Sequence, residues 1–184
     1  LTAVVALAGT LATASASAHR DDGPAGAAPV LIRPQPAAVA LPSGYVWWRD
    51  PGGFRVAVPA DWRRVPDGTG TLLFLAPDGA ARLRISTWAP PSGDVMTGLI
   101  AAERGVRQAG YRRIRIQTLP VAPDAVWEYT YRDAAGRPMR VLQRITTRGG
   151  TTYRIEWQAP RAAWAGGLPV LDVVVDGFGP VPGA

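Results

Sequence analysis

Beyond residue 45 the chain alternates apolar and polar positions with a period of two. Phe54, Val56 and Val58 alternate with Arg55 and Ala57 until Pro59, which predicts a β-strand ending there. Runs at 71–76 and 81–88 flank Pro77-Asp78-Gly79. That Pro presets one backbone angle and that Gly accepts a positive one, so the pair predicts a hairpin. Between residues 94 and 109 the period changes. Val95, Met96, Leu99, Ala102 and Val106 fall on one helical face, with Gly110 placed as the stop. Four runs follow, at 112–118, 125–132, 139–148 and 151–158, each rich in β-branched and aromatic residues. Asp133-Ala134-Ala135-Gly136 and the two-residue Gly149-Gly150 link the later ones, which predicts an antiparallel meander. Pro169 to Phe178 closes the pattern as a short helix, with Pro at its first position and Leu171, Val174, Val175 and Phe178 at i, i+3, i+4, i+7. The order of elements predicts an α+β fold: a mainly antiparallel sheet with two helices.

Within the strands the alternation sorts residues by face. Trp127, Tyr129 and Tyr131 share one side of their run, and Tyr153, Ile155 and Trp157 one side of theirs, so both rows are expected to face the core. Val56, Ile85, Tyr129 and Ile155 are expected to be buried; Arg55, Arg84 and Arg154 are expected to be exposed. Glu128 and Glu156 stand opposite the aromatic rows and are expected to point outward and balance arginines across strands.

The first 44 residues follow no such pattern. Residues 1–18 are apolar and uncharged and end in Ala14-Ser15-Ala16-Ser17-Ala18, which fits either a signal peptide cleaved after Ala18 or a transmembrane segment. The chain opens on Leu1 with no basic flank, so its true N-terminus is expected to lie further upstream. Residues 19–44 carry Pro24, Pro29, Pro34, Pro36 and Pro42 among many Ala and read as an extended linker. Residues 45–184 are the expected binding or sensor domain.

Composition narrows the chemistry more sharply than it narrows the fold. There is no Cys, Lys or Asn, the only His is His19, and all twenty basic residues are Arg. The joint absence of Lys and Asn points to a GC-rich genome, which tempers any argument from arginine alone. From residue 45 on, the usual general base, the thiol and amine nucleophiles and the common zinc ligands are missing. Ser86 and Ser92 sit in no Gly-x-Ser-x-Gly context, and Gly68-Thr69-Gly70 is too short for a phosphate loop. No catalytic residue, metal site or cofactor is therefore expected. A carboxylate pair drawn from Glu103, Glu128 and Glu156 is the remaining enzymatic option.

Arginine is the abundant reactive side chain. Arg55, Arg82, Arg84, Arg113, Arg115, Arg144 and Arg154 all alternate with apolar residues and together predict a basic sheet face. A guanidinium pairs bidentately with phosphate or carboxylate, so such a face suits acidic cell-wall polymers or lipid headgroups. Twelve acidic residues in the same region and the exported context argue against nucleic acid. Of the seven Trp, Trp62, Trp88, Trp127 and Trp157 fall at strand positions where burial is expected, whereas Trp47, Trp48 and Trp164 lie on less regular segments. The candidate ligand residues are Trp47, Trp48, Trp164, Arg55, Arg84, Arg113 and Arg115. The partner they imply is an unidentified ligand or protein of the cell envelope, with membrane attachment through the N-terminal segment. Oligomeric state is left open.

The stretch Asp50-Pro51-Gly52-Gly53-Phe54-Arg55-Val56-Ala57-Val58-Pro59-Ala60-Asp61-Trp62 resembles the first strand of actinobacterial extracytoplasmic domains of the PsbP-like type. The resemblance continues through Gly110-Tyr111, Ala125-Val126-Trp127-Glu128-Tyr129, Tyr153 and Pro160 to Phe178, and so covers about residues 45–181. It implies an α/β/α sandwich. It also implies a place at the extracellular C-terminus of a transmembrane serine/threonine protein kinase, or a free-standing secreted envelope protein. No kinase motif is present, so no kinase catalytic residue carries over. A lipoprotein would need a Cys after the apolar stretch, and there is none.

Overall fold

The computed structural model describes residues 40–66, 70–90, 93–120 and 124–181, all within the second of two units into which the chain divides, 38–184. The apolar segment 1–18, nearly all of the linker and the Gly68-Thr69 step lie outside the described residues.

Two short strands open the domain. β1 (Tyr45–Arg49) pairs antiparallel with β2 (Phe54–Pro59) across a turn in which the Asp50 carboxylate accepts from the Gly52 N–H at 2.8 Å. Trp47 and Trp48 therefore lie in a regular strand rather than ahead of one. β3 (Arg63–Pro66) was not foreseen: four residues with two Arg and a Pro carry no alternation to read. It pairs with β4 (Leu72–Leu75), and β4 pairs with β5 (Arg82–Thr87) around the expected Pro77-Asp78-Gly79 turn.

Helix α1 (Val95–Arg104) starts on Asp94, whose carboxylate caps the Thr97 N–H at 2.7 Å. It ends five residues before the expected stop, because Gly105 takes the C-cap: its N–H donates to the Ala102 carbonyl and the next N–H, of Val106, to that of Glu103. Gly110 instead adopts a positive φ of 66° at the turn into the next strand. The meander forms as expected from β6 (Arg112–Thr118), β7 (Ala125–Arg132), β8 (Pro138–Arg148) and β9 (Thr151–Pro160). One 3-10 turn, Arg161–Ala163, leads into α2 (Trp164–Gly177), and β10 (Gly179–Pro180) pairs with β2. α2 begins five residues earlier than expected and holds Pro169 inside it. Pro169 lacks an N–H for the Ala165 carbonyl, and both residues are exposed, so water can serve the freed acceptor.

The large sheet runs β3-β4-β5-β9-β8-β7-β6, and a small sheet β1-β2-β10 stands apart from it. Each face of the large sheet has its own core. On one, Leu83, Ile85, Tyr153, Ile155 and Trp157 pack with Trp164, Leu171 and Val174 of α2 and with Phe54, Val56 and Val58 of the small sheet. On the other, Trp127, Tyr129, Tyr131, Met139, Val141 and Ile145 pack with Leu99 of α1. The two aromatic rows thus face two cores on opposite sides, and the layering is the expected α/β/α. Val56, Ile85, Tyr129 and Ile155 are buried, as the alternation predicts.

Other placements differ from the sequence reading. Arg55, Arg84 and Arg154 are half-buried rather than exposed, because their aliphatic stems lie along the sheet. Glu128 is buried instead of outward, under the α2 side of the sheet. Trp62 and Trp88 are half-buried just outside strands, Trp62 between β2 and β3 and Trp88 after β5.

α2 approaches the sheet closely because of Gly167. A Cβ there would sit 2.7 Å from Cζ2 of the buried Trp157 ring. Ala in place of Gly gains about 1 kcal/mol of helix propensity, yet overpacking against a buried ring costs about 1–3 kcal/mol. Gly167→Ala is expected to lower the unfolding free energy by about 1 kcal/mol net, read as a lower urea midpoint. An unchanged or raised midpoint means that α2 has room to move.

Candidate functional site

The seven candidate ligand residues do not converge. Trp47 is half-buried beside a cleft of about 190 Å³ lined by Leu41, Pro42, Ala57, Val173 and Gly177, and the Arg55 guanidinium lies 4.1 Å from its ring centre. That volume falls short of the ~300 Å³ at which small-molecule sites begin. Trp48 points the other way. It packs on the core edge-on to Phe74, with Arg64 4.9 Å from its ring centre. Trp164 is buried at 5 % exposure, with Arg140 4.6 Å from its ring centre, so packing takes up the surface expected for a ligand.

Arg113 and Arg115 part company across a β-bulge in β6. Arg113 aligns with Tyr129 and Arg115 with the very next residue of β7, Glu128, so the two arginines face opposite sides of the sheet. Arg113 pairs with Glu103 of α1 at 3.0 Å, whereas Arg115 pairs with Glu128 at 2.7 Å. Glu128 also takes Arg140 at 2.6 Å. Arg144, expected on the basic face, lies opposite it and binds the buried Asp124 at 2.7 Å. The carboxylates considered for catalysis are therefore committed to arginines or, in the case of Glu156, to the Gln143 amide at 2.9 Å.

What the fold does bring together is Arg82, Arg84 and Arg154. α1 rests on the β6–β7 end of its sheet face, and among the described residues no helix lies over the β3-β4-β5-β9 end of that face. There the register sets Arg82 opposite Gln158, Arg84 opposite Glu156 and Arg154 opposite Ser86. Arg84 and Arg154 are diagonal neighbours on adjacent strands, about 7–8 Å apart at Cα level, and Arg82 is two residues from Arg84, about 7 Å. Val65, Leu73 and Leu75, all half-buried, border the cluster on the β3–β4 side.

This cluster differs from the ion-paired arginines of the domain and, in being half-buried, from exposed arginines without an ion pair among the described residues, such as Arg49, Arg63 and Arg112. Arg113, Arg115, Arg137, Arg140, Arg144 and Arg148 each meet a carboxylate within 4 Å. Among the described residues Arg82, Arg84 and Arg154 meet none. Arg82 donates to the Gln158 amide oxygen, and Arg154 lies 5.4 Å from the centre of the Trp88 ring. The Nε atoms of all three are buried without a hydrogen-bond partner, as is Oε1 of the neighbouring Gln143. Burial pushes the Arg154 guanidinium below its ordinary value; the charge of Arg84 adds to this, against the pull of Glu156 and Tyr129. An arginine stays protonated under such pressure, so the site holds concentrated, incompletely solvated positive charge. Among the described residues no group of three His, Cys, Asp or Glu could hold a metal ion, and no helix is long and apolar enough to cross a membrane.

No curated protein sequence matches the chain. Solved structures share its fold at low identity. The solution structure of the PsbP protein of the cyanobacterium Synechocystis superimposes with a TM-score of 0.53 at 15 % identity, covering 86 % of this chain and 100 % of that one. The Ran-binding protein Mog1p of Saccharomyces cerevisiae gives 0.51 at 10 %, covering 73 % and 94 %. A Bacteroides thetaiotaomicron structure gives 0.52 at 17 %, covering 74 % of this chain, which spans 48 % of that protein's length. These likenesses establish the PsbP-like fold. The family model for the serine/threonine kinase C-terminal domain matches residues 46–180, from the first strand to the last. With the match running through both sheets and both helices, the chain belongs to the serine/threonine kinase C-terminal domain family.

Proposed function

We propose that residues 45–184 are the extracytoplasmic sensor domain of a membrane-anchored serine/threonine protein kinase, and that the domain binds its ligand or partner without transforming it. The observation that carries this reading is the family match over residues 46–180. The sequence ahead of it agrees: an apolar segment at 1–18 and a Pro/Ala-rich linker at 19–44 provide an anchor and a spacer. A binding role accords with a folded region free of His, Cys and Lys and with carboxylates already engaged by arginines or amides. The same fold also serves recognition in the Ran-binding protein.

The ending Ala16-Ser17-Ala18 favours a second reading, a secreted cell-envelope protein released by cleavage after Ala18. One experiment separates the two. The complete gene is expressed in its own host with an epitope tag after Ala184, cells are fractionated, and intact cells are treated with protease. The sensor reading expects a tag that stays with the membrane and is removed from outside. A tag released to the medium selects the secreted protein, and a tag protected inside intact cells overturns both.

A further inference from the structure

We propose that Arg82, Arg84 and Arg154 form a binding site for a phosphate group on the open face of the large sheet. The inference rests on the sensor reading for its biological meaning and names the chemistry of the ligand. Three observations combine. The three arginines are neighbours in register, are half-buried, and form no ion pair among the described residues. Their Nε donors are buried and unpartnered, although buried donors in folded proteins are nearly always satisfied. Among the described residues the helix on this sheet face contacts β6 and β7, and the three arginine side chains are half-buried rather than enclosed.

The charge balance identifies the ligand class. Three guanidiniums face one nearby carboxylate, Glu156, which the Gln143 amide holds at 2.9 Å, leaving an excess of two positive charges. A phosphate dianion matches that excess. Its tetrahedral oxygens can accept from more than one arginine fork, whereas the two oxygens of one planar carboxylate are filled by a single bidentate arginine. The Nε–H edges then gain the acceptors they lack. Arg63, exposed on β3 and in line with Leu75 and Arg82, adds positive charge along the approach. Trp88, beside Arg154, places an indole where occupancy alters its fluorescence.

Calorimetric titration of the 184-residue chain with sodium pyrophosphate tests the site. Binding is expected to saturate and to weaken about tenfold or more in Arg84→Gln and in Arg154→Gln. Arg84→Lys keeps the charge, loses the fork and should fall between; it also carries the test if the Gln variants fail to fold. Arg137→Gln, which removes the partner of Asp133 in an exposed turn, should leave affinity unchanged. Co-sedimentation with phosphatidylglycerol vesicles separates sources: the same arginine dependence there assigns the phosphate to a lipid headgroup, and its absence with pyrophosphate binding intact assigns it to a soluble or polymeric ligand. Absence of binding to either probe, or binding weakened equally by Arg137→Gln, overturns the site. Neither result bears on the tag experiment, which tests the sensor reading separately.

Discussion

Asp124→Ala is expected to lower the unfolding free energy by about 3 kcal/mol, read from urea denaturation. Asp124 stands immediately before β7 with its carboxylate fully enclosed. Thr146 donates to it at 2.7 Å, Arg144 at 2.7 and 3.1 Å, and Arg148 at 3.3 Å. Removing one partner of a buried ion pair costs about 3–5 kcal/mol because a charge is left behind. The lower end applies here, since Arg144 and Arg148 retain 23 % and 35 % side-chain exposure and can turn to water.

The same carboxylate predicts a pH dependence. Burial alone would raise its pKa, but the hydrogen bonds from Thr146, Arg144 and Arg148 outweigh burial and hold it below the ordinary carboxylate range. A group whose folded value is depressed contributes stability above the unfolded value, about 3.9, and loses it as pH falls through the folded value. The wild-type chain should therefore lose stability more steeply below about pH 4 than Asp124→Asn, which keeps the shape and lacks the titration. Parallel curves for the two proteins would mean that Asp124 does not carry this acid response.

Trp157→Ala should cost about 3–5 kcal/mol and loosen α2 from the sheet. Trp157 is 1 % exposed. It is stacked on Trp62 at 5.3 Å between ring centres, set between Leu83 and Leu142 in the sheet, and approached by Gly167 of α2. Deleting the ring leaves a void lined by rigid neighbours on two layers, which is where relaxation is least able to recover the loss. Trp157→Phe is the comparison. The indole N–H has no partner in the core, so Phe sacrifices volume but no hydrogen bond and should cost much less than Ala. Equal losses in the two variants would mean that the site depends on the indole itself. Protection of α2 amides from hydrogen exchange gives the second readout, with a selective fall in Trp157→Ala.

Periodicity was a reliable guide wherever one element faces one core. The meander strands, the Pro77-Asp78-Gly79 hairpin and the existence of both helices follow from it, since alternation and a 3.6-residue repeat are local consequences of burying one side. Helix ends were less legible. Gly110 was the expected stop, but the cap goes to Gly105, five residues earlier, and Gly110 serves the turn into β6. β3 and β10 are too short to show any period, and pairing with neighbours alone makes them strands.

The candidate site was legible only in fragments. Arg82, Arg84 and Arg154 were visible as alternating arginines, but so were Arg113, Arg115 and Arg144, and nothing local distinguishes the two sets. A bulge turns Arg113 and Arg115 to opposite faces, and the register of β8 sets Arg144 opposite Ile155, on the other side of the sheet from Arg84, where Asp124 binds it. The aromatic candidates failed for a related reason. Trp164 and Trp48 serve the core because α2 and the small sheet, which carry them, pack on the large sheet, a consequence of contacts distant in sequence.

By itself, then, the sequence determined the class of fold, the meander, the Gly-dependent turns and the absence of His, Cys and Lys chemistry from the folded region. These properties are composition or near-neighbour stereochemistry, fixed before any long-range contact forms. Only the tertiary structure decided which arginines lose their partners and which keep them. Strand order placed β5 beside β9, separating Arg84 and Arg154 from the buried carboxylates on the opposite face, while among the described residues the short α1 reaches only β6 and β7. Charge balance across a sheet is a property of pairs far apart in the chain, and it exists only once the register has been set.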